Sequence, residues 1–213
     1  MTRVALFGGS FNPLHIAHQL VALYVLETCE VDELWFVPTY VHPFGKTLVS
    51  YDHRVAMCEL ACAALGARAK VSRAEQELAQ RPGFVASRTL DLVDMLSESG
   101  QHTFRLVIGS DILGETSQWY RWGEVVARTN PIVVARAGAE RVSDPRREVS
   151  TVTGSVVHPG GADGGDSGVI MPDVSATQVR ALLASGDSRA AALLPREVLR
   201  YIAAHGLYRN ERA

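Results

Sequence analysis

The most constraining feature of this chain is the alternation of continuous apolar runs with segments of helical periodicity. The runs contain neighbouring apolar residues, unlike strands with one solvated face, which alternate apolar and polar residues. We expect strands at residues 3–7, 34–37, 69–72, 103–108 and 132–135. Apolar strands separated by helices predict a Rossmann-like α/β fold, with a parallel sheet and helices on both of its faces.

Between the runs, apolar spacing and capping residues predict the helices. The first helix follows residue 18, and its expected apolar face is Leu20, Leu23, Tyr24 and Leu26. Further helices are expected over about residues 52–65, with Asp52 as cap, over 85–96, and from the aromatic residues Trp119, Tyr120 and Trp122 to about residue 128. Residues 75–83 are polar and predict a loop.

We expect one domain over residues 1–213. It would comprise a Rossmann-like core over 1–136, a variable loop region with one strand over 137–173, and C-terminal helices over 174–213. The loop prediction rests on the Gly-, Pro-, Asp- and Ser-rich stretch 158–168. In the C-terminal part, Ser175 and Gln178 have capping-box spacing, and Pro195 suits the first turn of a last helix.

Charge and cysteine content exclude several classes of protein. The net charge of −2 does not favour a nucleic-acid coat or a membrane-surface binder. No apolar run approaches the roughly 20 residues of a membrane span, and the start shows no signal-peptide pattern. Three cysteines, Cys29, Cys58 and Cys62, predict a reducing compartment, the cytoplasm. Cys58 and Cys62 fit small core residues better than a zinc pair.

The stretch from Gly8 to His18 joins the first strand to the first helix. Gly8 and Gly9 allow the backbone to approach a ligand closely, and the helix entrance offers N–H groups and a positive dipole end to a phosphate. His15 and His18 stand at that entrance and share one face. They could grip phosphate oxygens, form part of a metal site, or be structural. The stretch has neither the Walker A nor the dinucleotide-binding pattern.

A second segment points to the same region of the fold. Gly109, Ser110 and Asp111 follow the clearest central strand. Ligands of parallel α/β sheets bind at the carboxyl ends of the strands. We therefore expect these residues and the glycine stretch to lie on one rim of the sheet.

Several ordered motifs resemble a known family. Residues 8–18 resemble the signature of the His-x-Gly-His nucleotidyltransferase superfamily, with Ala17 in place of its glycine, and residues 174–180 resemble its C-terminal Ile-Ser-Ser-Thr-x-Ile-Arg motif. Gly109-Ser110-Asp111 followed by Trp119-Tyr120, together with the ending 193–209, narrows the resemblance to bacterial nicotinate mononucleotide adenylyltransferases.

The resemblance implies transfer of AMP from ATP to nicotinate mononucleotide, which gives nicotinate adenine dinucleotide and pyrophosphate. Mg²⁺ would accompany ATP, and no metal site formed by the protein is expected. The partners would be ATP and a pyridine mononucleotide, with no nucleic acid or membrane, and the oligomeric state stays open. The implied site residues fall into three groups. They are His15, His18, Lys46 and Arg180 at the reacting phosphates, Gly8, Gly9, Ser10, Phe11, Asp111, Ser175 and Thr177 around ATP, and Trp119, Gly109 and Arg88 on the acceptor side.

Each assignment has a structural alternative. Arg180 could be an ordinary solvated helix residue, Lys46 a lone loop lysine, Asp111 a helix cap and Trp119 a core residue. The segment 83–90 also departs from the family, because Phe84-Val85-Ala86 and Arg88 replace its usual Ser-Tyr-Thr and Asp. The sequence therefore supports the use of ATP more strongly than the use of nicotinate mononucleotide as the acceptor. Nicotinamide mononucleotide or another phosphate acceptor, and a non-catalytic nucleotide-binding regulator, remain alternatives.

Overall fold

The computed structural model describes residues 1–41, 48–135 and 171–209. Within these ranges, five parallel strands form one sheet in the order β3-β2-β1-β4-β5. The strands are β1 (Thr2–Gly9), β2 (Glu33–Pro38), β3 (Ala69–Val71), β4 (His102–Gly109) and β5 (Ile132–Val134). The predicted parallel α/β sheet is therefore confirmed.

Helices connect the strands and cover both faces of the sheet. They are α1 (Ile16–Thr28), α2 (Tyr51–Ala63), α3 (Ala74–Ala79), α4 (Thr89–Ser97), a 3₁₀ helix (Ser110–Gln118), α5 (Trp122–Thr129), α6 (Ala176–Ser185), α7 (Ala190–Leu193) and α8 (Arg196–Ala204).

Two hydrophobic clusters lie on opposite faces of the sheet. The first cluster packs α1, α2 and the C-terminal helices against one face, and it includes Ala5, Val179 and Ile202. The second cluster packs α3, α4 and α5 against the other face, and it includes Val4 and Leu6. Successive residues of β1 therefore enter opposite clusters, which explains why the strands are apolar runs without alternation.

The strand register brings the two predicted ligand segments to the same edge. Phe7 of β1 pairs with Phe36 of β2 on one side and with Val107 of β4 on the other. Since these strands are parallel and adjacent, Gly9 and Gly109 end them at the same rim of the sheet.

Two local predictions were wrong. The polar segment 75–83 was expected to be a loop, but it begins within α3, because Ala74 and Leu78 are one helical turn apart and both are buried. Asp52 does not cap α2. Ser50 is the N-cap, and its Oγ accepts the His53 N–H at 3.3 Å.

The aromatic stretch and the first helix also differ from expectation. The 3₁₀ helix ends at Gln118 and α5 begins at Trp122, so Trp119 and Tyr120 lie between two helices. In α1, Leu20 and Leu23 are exposed, whereas Val21 and Val25 are among the buried residues. Apolar side chains surround α1 on several sides, so spacing alone did not identify its buried face.

The C-terminal part begins at Met171, whose backbone N–H donates to the Ala135 carbonyl at 2.9 Å. The predicted cap of α6 is confirmed, because Ser175 Oγ accepts the Gln178 N–H at 3.2 Å. Gly186 ends α6 in the left-handed conformation. The predicted loop at 158–168 and most of the predicted strand at 169–171 lie outside the described residues.

Candidate active site

The glycine turn, residues 8–15, joins β1 to α1. Phe11 lies within it at a φ of 45° and is buried. Its ring packs against Gly9, where an added Cβ would lie 3.1 Å from Phe11 Cζ. An added Cβ at Gly8 would meet no atom within 4 Å. A side chain at Gly9 would thus force the Phe11 ring to shift, whereas Gly8 leaves open space where a ligand can approach the backbone.

The two histidines of the turn are in contact. His15 is the N-cap residue of α1, and its ring stacks on that of His18 with centroids 3.8 Å apart. The backbone N–H of His15 donates to His18 Nδ1 at 3.2 Å. An accepting Nδ1 means that neutral His18 carries its proton on Nε2, a tautomer assigned from this hydrogen bond. His18 Nε2–H can then donate to a phosphate oxygen.

Arg180 connects the second helix entrance to the glycine turn. It lies in the second turn of α6, and its Nη1 donates to the Asn12 carbonyl at 2.8 Å. Its Nη2 donates to Thr177 Oγ1 at 3.1 Å. A guanidinium has five N–H donors, so donors remain for a phosphate. The structure therefore brings the entrances of α1 and α6 together, although they are far apart in sequence.

A buried arginine that the sequence analysis missed supports the turn from α2. Arg54 is only 2% exposed. Its Nη1 donates to the Ser10 carbonyl at 2.9 Å, and its Nε donates to the Val49 carbonyl at 3.2 Å. Burial lowers the pKa of Arg54. Its spacing from Cys58 and Cys62 is a signal that could have revealed it, since the three share the buried face of α2.

Asn12 is a further residue that the sequence analysis did not assign to the site. Its side chain is buried, and its Oδ1 accepts the Tyr208 hydroxyl at 2.8 Å and the Val49 N–H at 3.3 Å. With the Arg180 contact at its carbonyl, both oxygens of Asn12 accept hydrogen bonds from segments that are distant in sequence. The partners come from regions 37, 168 and 196 residues away.

The residues assigned to the acceptor lie at the end of β4 and on the second-cluster side. Asp111, which was assigned to ATP, is exposed just after β4, in the first turn of the 3₁₀ helix. Trp119 is half-buried, packs on the second cluster and contacts Trp122 edge to face at 5.4 Å. Tyr120 is the more exposed aromatic, at 45%, and Arg88 Cζ lies 4.1 Å from its ring centroid. Such an arrangement is a cation–π contact.

A polar group lies beyond the end of β2, beside the rim. Glu75 accepts the Tyr40 N–H at 2.8 Å, and burial raises the pKa of its carboxyl. The Tyr51 ring contacts Tyr40 edge to face at 4.9 Å, and Arg54 Cζ lies 5.4 Å from its centroid. Burial raises the pKa of the Tyr51 phenol to about 12. The Tyr51 hydroxyl is buried and has no hydrogen-bond partner among the described residues.

The remaining predictions concern Lys46, metal binding, membrane spans and the three cysteines. Lys46 lies outside the described residues. Within 1–41, 48–135 and 171–209, no three His, Cys, Asp or Glu side chains group in a way that could hold a metal ion. No described helix is both long and apolar enough to cross a membrane. Cys29, Cys58 and Cys62 are free and buried, as expected of small core residues.

The chain is similar in sequence to known proteins over almost its whole length. The sequence model of the Cytidylyltransferase-like family matches residues 6–182. A probable nicotinate-nucleotide adenylyltransferase of Anaeromyxobacter sp. (strain K) is 40% identical over 207 residues, which cover 97% of each chain. One from Myxococcus xanthus (strain DK1622) is 35% identical over 207 residues, covering 97% of this chain and 94% of that relative.

A solved structure shares the fold. The Plasmodium falciparum nicotinic acid mononucleotide adenylyltransferase complexed with NaAD superposes with a TM-score of 0.72 at 16% identity, covering 98% of each chain. The sequence similarity spans both the glycine turn and α6, whose entrances Arg180 joins. The family carries nucleotidyl-transfer chemistry, for which a divalent cation is suggested. By its sequence and its fold, this chain belongs to the nicotinate-nucleotide adenylyltransferase family.

Proposed function

We propose that the protein transfers AMP from ATP to nicotinate mononucleotide, giving nicotinate adenine dinucleotide and pyrophosphate. The observation that carries this proposal is the Arg180–Asn12 contact, which joins two helix entrances suited to phosphates. The names of the relatives and the dinucleotide bound to the Plasmodium falciparum enzyme support the choice of reaction. We expect the reaction in the cytoplasm, since the three free cysteines suit a reducing compartment.

The chemistry requires one bond to form and one to break. An oxygen of the acceptor's 5′-phosphate attacks the α-phosphorus of ATP. The bond from that phosphorus to the oxygen bridging the α- and β-phosphates breaks, and its electron pair leaves with pyrophosphate. The attacking phosphate is mostly ionised near neutral pH, because its second pKa is about 6. The protein therefore needs no general base, and its task is to align two anions and stabilise the developing charge.

The residues of the rim match that task. His15 and His18 would donate to the triphosphate at the entrance of α1, and Arg180, Ser175 and Thr177 would do so at the entrance of α6. Gly8, Gly9, Ser10 and Phe11 would contribute backbone contacts to ATP, Asp111 would bind near its ribose, and Lys46 would approach the reacting phosphates. Mg²⁺ would enter with ATP as part of the substrate. Mg²⁺ is often held chiefly by substrate phosphates and water.

On the acceptor side, Gly109, Trp119 and Arg88 are the proposed contacts. Stacking of a pyridinium ring on Trp119 would be favourable. Arg88 takes part in no ion pair within the described residues, and the Tyr120 ring holds its guanidinium. A fixed cation suits the carboxylate of nicotinate better than the neutral amide of nicotinamide. This favours nicotinate mononucleotide in spite of the altered segment 83–90.

The test is pyrophosphate release from ATP and Mg²⁺ with three acceptors in parallel: nicotinate mononucleotide, nicotinamide mononucleotide and phosphopantetheine. Release that is fastest with nicotinate mononucleotide supports the proposal. Release only with nicotinamide mononucleotide would contradict the assignment of nicotinate mononucleotide as the acceptor, while adenylyl transfer would stand as the reaction. Measurable ATP binding without release for any acceptor would indicate a nucleotide-binding regulator.

A further inference from the structure

The C-terminal segment after α8 reaches the glycine turn. We propose that Tyr208 is a positioning residue for ATP binding, because its hydroxyl holds Asn12 in the orientation in which Arg180 and the glycine turn receive the triphosphate. This inference rests on the proposed function, since it assigns ATP to that turn. Tyr208 itself is not placed against the reacting phosphates, and it acts through Asn12.

The contacts form a short chain from the C-terminal segment to the phosphate site. The Tyr208 hydroxyl donates to Asn12 Oδ1 at 2.8 Å. The carbonyl of the same Asn12 accepts Arg180 Nη1, also at 2.8 Å. The Tyr208 contact anchors the side chain of Asn12, and a shift of the Asn12 backbone after loss of that anchor would displace the carbonyl that Arg180 Nη1 contacts. Since charge-stabilising donors act only when held in position, the orientation of Asn12 matters for binding a triphosphate.

The backbone of the segment takes an uncommon conformation at the residue that makes this contact. Tyr208 has a φ of 61°, a left-handed conformation that few residues other than glycine adopt. Leu207 N–H donates to the Ile202 carbonyl at 3.0 Å, which fixes the segment on the end of α8. Non-glycine residues in this region persist when the surroundings demand the conformation, and they cluster at functional sites. Here the residue in this conformation is a half-buried tyrosine whose hydroxyl contacts the glycine turn at Asn12.

A second tyrosine provides a matched control. Tyr201 lies in α8, and its hydroxyl is 2.9 Å from His53 Nδ1 of α2. Both tyrosines join the C-terminal part to the rest of the protein through one hydroxyl, but only Tyr208 contacts the glycine turn. Tyr201→Phe therefore reports the effect of loosening this packing, and Tyr208→Phe adds the loss of the Asn12 contact.

The experiment measures ATP affinity by calorimetry in the full-length chain, together with steady-state KM and kcat. For Tyr208→Phe we expect ATP affinity to fall about fivefold to tenfold, as for the loss of one hydrogen bond. The KM for the acceptor should change less than the KM for ATP. Tyr201→Phe should bind ATP as the wild type does. Equal ATP affinity in Tyr208→Phe and Tyr201→Phe would overturn the proposal.

A double-mutant cycle tests whether Tyr208 acts through Asn12. In an Asn12→Ala background, Tyr208→Phe should produce no further loss of ATP affinity. A full loss in that background would contradict the proposed route, and thermal melting checks that each variant is folded. Calorimetry does not depend on turnover. If the wild type binds ATP but releases no pyrophosphate, the proposed reaction fails while the role of Tyr208 can still be measured.

Discussion

His18 offers the sharpest separation of a structural contact from a catalytic one. Its Nδ1 accepts the His15 N–H at 3.2 Å, and its Nε2 is the proposed donor to ATP. An asparagine places its amide near the position of Nδ1, and a glutamine places its amide near that of Nε2. His18→Asn should therefore keep the helix-entrance contact and lose the phosphate donor. His18→Gln should do the reverse.

The magnitudes follow from those two losses. Removing a preorganised donor to a transition-state oxyanion typically costs about 10²–10³ in rate, so His18→Asn should lose that much kcat with little change in Tm. His18→Gln loses a hydrogen bond worth about 1 kcal/mol. For a chain of this size, that lowers the Tm by about 2–4 °C, and the variant should keep more activity than His18→Asn.

The assay combines pyrophosphate release at saturating ATP and nicotinate mononucleotide with thermal melting of the same samples. His15 is unchanged in both variants, so the comparison isolates the two nitrogens of one ring. Higher kcat in His18→Asn than in His18→Gln would refute the assignment of Nε2 as the phosphate donor. Wild-type kcat in both variants would remove His18 from the proposed mechanism.

Three further predictions concern other parts of the site. Gly8→Ala should keep the Tm, because its Cβ meets no atom within 4 Å. The variant should raise the KM for ATP about tenfold by displacing the nucleotide. An unchanged KM would mean that ATP does not approach Gly8. Arg88→Gln should lower the ratio of kcat/KM for nicotinate over nicotinamide mononucleotide about tenfold, as for the loss of one charged contact. The control is Arg121→Gln, which should leave this ratio unchanged, since the Arg121 guanidinium lies 5.9 Å from the centroid of the same Tyr120 ring. Equal ratios in both variants would contradict the role of Arg88. Tyr51→Phe should raise the Tm by about 2–4 °C, because the buried Tyr51 hydroxyl has no hydrogen-bond partner within residues 1–41, 48–135 and 171–209, and a buried unpaired hydroxyl costs roughly 1 kcal/mol. Since burial raises the Tyr51 pKa to about 12, the unfolded chain loses that proton first, and the free energy of unfolding falls as pH rises from about 10 towards 12. Tyr51→Phe should weaken this loss of stability at alkaline pH. Identical alkaline melting curves for the variant and the wild type would exclude Tyr51 as the source of the loss.

The sheet and its ligand rim could be predicted from the sequence because both depend on local patterns. Continuous apolar runs require burial on both faces, and β1 meets this by alternating Val4 and Ala5 between the two clusters. Glycine-containing turns at the ends of β1 and β4 then fall on one edge as a consequence of parallel pairing. The cap at Ser175 was also a local signal, read from its spacing to Gln178.

Other features were not predictable by the same means. The helix α3 has only two buried residues, Ala74 and Leu78, and therefore almost no periodicity. The apolar residues of α1 gave several possible faces. The Tyr208–Asn12 contact spans 196 residues and leaves no local pattern. Arg54 is intermediate, because its place in the buried face of α2 is visible once that helix is assigned, although its partners Ser10 and Val49 are not.

The most direct test of the central claim follows the phosphorus atoms of ATP. The protein is incubated with Mg²⁺, nicotinate mononucleotide and ATP carrying ³²P at either the α- or the γ-position, and the products are separated. Transfer of AMP predicts that α-label appears in the dinucleotide and γ-label in pyrophosphate. Label from the γ-position in the acceptor, or α-label only in free AMP, would contradict adenylyl transfer to nicotinate mononucleotide.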